Sequence, residues 1–162
     1  MNLAADAPQW LALIAAVLLL AAAAEDAVRL RISNLIVLLV LVGAIVAAVV
    51  AGPELAIWKN LVVFLVLLAV GTPMFAAGKL GGGDVKLLAA VGLWFDFVGA
   101  LWMILAVALA GGLLALVVLI LRSFGWSEEI RRRVVLLRPG GGIPYGVAIA
   151  AGALITMALQ RV

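Results

Sequence analysis

Apolar residues occupy this chain in long runs broken by short polar punctuation. The runs cover residues 10–24, 35–50, 61–77, 85–95, 97–121 and 143–159. Segments of this length and apolarity read as membrane helices rather than as strands or amphipathic surface helices, and they predict a bundle of about six. The fourth run is short. Eleven residues at about 1.5 Å rise reach roughly 16 Å, against a hydrocarbon core of about 30 Å. That helix is expected either to begin earlier, in the preceding glycines, or to sit partly sunk in the bundle.

Composition agrees with the pattern. Of 162 residues, 69% are hydrophobic and 12% charged, with a mean hydropathy of +1.38. Those values place the fold class as an all-α integral membrane protein. The length accommodates one transmembrane domain, residues 1–162, with no room for an ordinary soluble domain beside it. The first run lacks the basic flank of a cleaved signal peptide and is expected to stay as a span. Small residues such as Ala15, Ala16, Gly43, Gly111, Gly112, Ala148, Ala151 and Gly152 would let helices approach closely.

Charge then orients the bundle. With six spans and the N-terminus outside, Arg29, Arg31, Lys79, Lys86, Arg122, Arg131, Arg132, Arg133 and Arg138 fall in inner loops, and only Lys59 and Arg161 fall outside. Merging the fourth and fifth runs into one span would move the loop with five arginines outward, against the positive-inside rule. The net charge of +3 is therefore read as topology and attraction to anionic lipid, not as nucleic-acid binding. The loop 122–142 is expected to carry a short amphipathic helix over 128–137 and a Pro139-Gly140-Gly141-Gly142 turn. The latter lacks the Lys-Ser/Thr of a nucleotide-binding loop. Trp10, Trp58, Trp94, Trp102 and Trp126 fall near span ends, where interfacial belts form.

Candidate chemistry is narrow, because the chain has no cysteine and no histidine. Thiolate nucleophiles, imidazole bases and the usual zinc sites are excluded, no metal or other cofactor is called for, and carboxylates remain. Glu25 and Asp26 end the first predicted helix, and Asp84 follows Gly81-Gly82-Gly83 at the start of the fourth. Two crossings lie between them, so both aspartates return to the same face. Two carboxylates held close can share one proton, one serving as base toward water and the other as acid toward an amide. Such a pair titrates as a unit. Plainer roles exist: pairing of Asp26 with Arg29 or Arg31, N-capping of the fourth helix by Asp84, capping of the second by Asn34, a turn role for Asp96, and membrane anchoring by Lys86.

The run Gly81-Gly82-Gly83-Asp84-Val85-Lys86-Leu87 resembles the GxGD signature of membrane aspartyl proteases in the form found in prepilin peptidases. Asp26-Ala27-Val28-Arg29-Leu30-Arg31-Ile32-Ser33-Asn34 is similar to that family's other motif, with Ser33 where proline is usual. Ile143-Pro144-Tyr145-Gly146 resembles its C-terminal Pro-aromatic-Gly element. The resemblance implies a compact prepilin peptidase of the kind associated with Flp-type, tight-adherence pili, without the methyltransferase region of longer members. It implies Asp26 and Asp84 as the catalytic pair, with Gly81, Gly83, Lys86, Asn34 and Glu25 as loop or substrate contacts. The implied partners are a prepilin precursor with a short basic leader, the lipid bilayer and pilus assembly components, in the bacterial inner membrane. Glu25, Glu128 and Glu129 are the candidates to meet the leader's basic residues. A small proton- or cation-coupled transporter subunit and a non-catalytic assembly scaffold are the competing readings. The transporter is disfavoured by the absence of a repeated half and of charges deep in the predicted spans.

Overall fold

Capping side chains fix where several helices begin. The structure, a computed structural model, describes residues 1–52, 54–138 and 141–161. Its helices are α1 (Leu3–Asp6), α2 (Gln9–Arg29), α3 (Asn34–Ala51), α4 (Trp58–Ala76), α5 (Gly82–Gly92), α6 (Phe97–Ser123), α7 (Glu128–Arg133) and α8 (Tyr145–Leu159), with 3₁₀ turns at Leu55–Ile57 and Val135–Leu137. The Ser33 hydroxyl accepts from the Ile36 N–H at 3.3 Å and starts α3. The Asp96 carboxylate accepts from the Gly99 N–H at 2.8 Å and starts α6, the turn role expected of it. Asn34, expected to cap α3, is instead its first helical residue, because Ser33 already holds the extended backbone of a cap.

Among the described residues, four helices are long and apolar enough to cross a membrane: α2, α3, α4 with its leading 3₁₀ turn, and α6. The short ones, α5 with 11 residues and α8 with 15, lie inside. α5 packs against α4, α3 and α8, while α8 packs against α6, α2 and α5. Nearly every residue of α5 from Asp84 to Gly92 is buried, as is most of α8. The outer helices turn large apolar side chains such as Leu13, Val17, Val49 and Leu109 outward, the surface a membrane-spanning bundle offers to lipid. A short helix is tolerable here because protein, rather than hydrocarbon, surrounds it. α5 does begin in the glycines, at Gly82.

Two features depart from the sequence reading at the end of the bundle remote from the aspartates. Trp94, expected in an interfacial belt, is 1% exposed and its indole N–H donates to the Val40 carbonyl at 3.1 Å. The segment before α2 folds under the bundle as α1, with the Ala4 N–H on the Trp94 carbonyl at 2.8 Å and Arg161 donating to the carbonyls of Ala4 and Ala7. In the loop after α6, the expected helix over 128–137 is split into α7 and the second 3₁₀ turn. Pro139 and Gly140 of the expected glycine turn, and the side chains of Arg132 and Arg133, lie outside the described residues.

Candidate active site

α2 continues to Arg29, past the Glu25-Asp26 pair expected to end it, so Asp26 lies inside the helix's last turn. Its side chain is 3% exposed. The chain then leaves α2 abruptly: Leu30 adopts a left-handed conformation with φ 51°, and its N–H closes on the Asp26 carbonyl at 2.8 Å. A leucine in that region is strained, since its Cβ crowds the backbone. The turn sends residues 30–33 back across the end of the bundle toward α3. There the Glu25 carboxylate accepts from the Ser33 N–H at 2.8 Å and pairs with Arg29 at 3.5 Å. Proline at position 33 would have no N–H to offer; serine supplies both that donor and the helix cap.

Asp84 approaches from the other side. It is the third residue of α5, not its cap, and its carboxylate folds back to accept from the Gly81 N–H at 3.1 Å. A Cβ at Gly81 would stand 2.8 Å from Oδ2 of Asp84, and one at Gly83 would stand 3.2 Å from Cβ of Ile32. Glycine at 81 therefore leaves room for the Asp84 carboxylate to fold back, and glycine at 83 lets the two motifs touch. Asp84 stands in the first turn of a helix too short to cross. Burial pushes its carboxyl up from 3.8 to about 6; the charge of Asp26 adds to the rise, and the N–H groups of Gly81 and Gly146 oppose it.

The two segments enclose a cavity of about 620 Å³ lined by Glu25, Asp26, residues 29–34 and residues 81–84. It is the polar end of the molecule. A larger groove of about 830 Å³ runs between α3 and α4 toward their linker, but its walls are mostly aliphatic and aromatic, with Glu54 and Asn60 the polar residues among its described lining. Both aspartates line the smaller cavity. Among the described residues, no three acidic side chains gather as a metal-binding group.

A profile of the type IV leader peptidase family matches residues 13–116. The chain belongs to that family. No curated protein and no solved structure matched the chain. Leader peptidase chemistry and a membrane location follow at the level of the family, and both aspartate motifs lie inside the matched span.

Within this leader peptidase framework, Glu25, Asp26, Asn34, Gly81, Gly83 and Asp84 come together around one cavity. Lys86 does not line it; exposed on α5, it donates to Asn34 Oδ1 at 3.0 Å and ties α5 to α3 beside the opening. Asp26 is not the partner of Arg29: that guanidinium goes to Glu25, and Oδ2 of Asp26 accepts from the backbone N–H of Gly146 at 2.7 Å. Glu128 and Glu129 lie on α7, outside the cavity's lining. Reading side chains missed the Gly146 amide, because a backbone donor has no residue signature. The Pro144-Tyr145-Gly146 run was its only trace.

Proposed function

We propose that this leader peptidase is an aspartyl endopeptidase whose catalytic residues are Asp26 and Asp84, and that it removes a short basic leader from prepilin-like precursors at the cytoplasmic face of a bacterial inner membrane. The observation that carries the reading is that two acids from motifs far apart in the chain line one cavity, close enough for the charge of one to raise the other. With one proton between them, the ionised carboxylate takes a proton from water as its oxygen bonds to the scissile carbonyl carbon. The protonated partner gives its proton to the amide nitrogen as the C–N bond breaks, which leaves the pair singly protonated with the proton now on the other aspartate.

The excess of lysine and arginine in the loops at this end supports the cytoplasmic assignment. The cavity opens beside lipid-facing helices, so a precursor's apolar helix can lie along the bundle with its leader junction at the acids. Glu25, with 20% of its side chain exposed, is the rim carboxylate best placed to exchange Arg29 for a basic leader residue. Co-expression with a prepilin tests the reading: leader removal should be lost in both Asp26→Asn and Asp84→Asn while membrane insertion persists. Continued processing by either variant would refute the assignment.

A further inference from the structure

The C-terminal helix begins at the aspartates although it lies beyond the span that the family profile matches. Gly146 is the second residue of α8, so its N–H belongs to the first turn, whose donors have no partner inside the helix. Pro144 brings no N–H, and the Tyr145 N–H turns back to the Ile143 carbonyl at 2.9 Å. The Gly146 amide is thus left to face the acids, bonding Oδ2 of Asp26 at 2.7 Å in a buried contact. It acts on the Asp84 carboxylate as well. Approach this close depends on the missing side chain. A Cβ on Gly146 would stand 2.8 Å from Oδ2 and 3.0 Å from Cβ of Asp26, and 2.7 Å from Cδ1 of Ile32.

We propose that Gly146 is a positioning residue for the aspartate pair: its backbone N–H fixes Oδ2 of Asp26 as an acceptor and leaves Oδ1 as the oxygen that meets water and the shared proton. An N–H donor cannot sit opposite a protonated acceptor lone pair, so the bond decides which Asp26 oxygen is chemically free. α8 is held by α6 and α2, which makes the donor part of a rigid scaffold rather than a loop. This rests on the reading of Asp26 and Asp84 as the catalytic pair.

The test uses the full chain in proteoliposomes with a synthetic precursor: a short basic leader ending in glycine, followed by an apolar helix. Gly146→Ala should lower kcat by about 100-fold, as displaced reacting groups do, leave KM unchanged, and move the alkaline limb of the pH profile upward, because an anion-stabilising donor is withdrawn. Gly152→Ala, whose Cβ would meet the Val107 backbone nitrogen at 2.5 Å far from the acids, should weaken the α8–α6 contact and leave the pH profile in place. A wild-type kcat and pH profile in Gly146→Ala overturns the proposal. So does full recovery of both on adding Ile32→Val, which removes only the collision with Cδ1 and not that with Asp26. Independently of any variant's folding, the amide proton of ¹⁵N-labelled Gly146 in the wild-type protein should move with pH along the same titration as activity, and a resonance that ignores that titration overturns the proposal too. Asp26→Asn and Asp84→Asn assayed in parallel separate the two claims. If they still cleave, the catalytic assignment fails; if they are inactive while Gly146→Ala is normal, the positioning role alone fails.

Discussion

Replacing Ser33 with the proline usual in the related motif should destabilise this protein, although the backbone already suits proline. At φ −69° and ψ 141°, Ser33 needs no rearrangement to accept the ring, and the stiffer unfolded chain would contribute about 0.4–1 kcal/mol in favour of the variant. Two losses oppose that gain. The N–H that Glu25 accepts at 2.8 Å disappears, a hydrogen bond to a charged group worth about 1.5–3 kcal/mol. The hydroxyl cap on Ile36 also goes; at 3.3 Å it is a long bond, so a contribution of about 0.5–1 kcal/mol is appropriate. The balance is a net loss of about 2 kcal/mol, which for a chain of this size lowers Tm by about 4–8 °C. Thermal unfolding of the purified protein in detergent reads this directly. In a Glu25→Gln background the penalty should shrink, since the charged acceptor is already gone, and the cycle isolates the Glu25–Ser33 coupling. A Tm equal to or above that of the wild type in Ser33→Pro would refute the reasoning, because conformational entropy would then outweigh both hydrogen bonds.

Three further outcomes are expected. Asp84 has its carboxyl raised from 3.8 to about 6 in the folded protein, so its contribution to stability is complete below pH 3.8 and is lost as pH rises through 6; Tm should fall across that window, and Asp84→Asn should flatten the fall. Asn60, fully buried, donates to the Leu93 carbonyl at 3.0 Å while its own Oδ1 has no partner; Asn60→Asp, which removes the donor and leaves an acid there, should cost about 1–3 kcal/mol in chemical denaturation, whereas an unchanged midpoint would show that the contact is idle. Gly83→Ala should press a Cβ to 3.2 Å from Ile32, spreading the two motifs and lowering processing by about 100-fold with membrane insertion intact, as followed by leader removal and fractionation.

The class of this protein and the return of its two motif aspartates to one end of the bundle were legible in the residues. Apolar runs too long for a water-facing helix, a chain without cysteine or histidine, and acids confined to the ends of those runs leave a membrane helix bundle with Asp26 and Asp84 at one end. These features are local or periodic, and the cost of burying charge in a bilayer restricts where charge can stand. The individual hydrogen-bond and ion-pair partners were not legible. Asp26 next to Arg29 reads as an ion pair one turn apart, but the helix extension turns Asp26 inward to Gly146 and gives Arg29 to Glu25. Ser33 reads as a departure from the related motif's proline, yet it gains a bond to Glu25 that proline could not make. Trp94 has the sequence surroundings of an interfacial residue, and only the tucking of α1 beneath it makes it core. In each case the deciding partner is a backbone group or a distant segment, whose position depends on how whole helices pack; hydrophobic pattern specifies which faces are buried but not which atoms meet there.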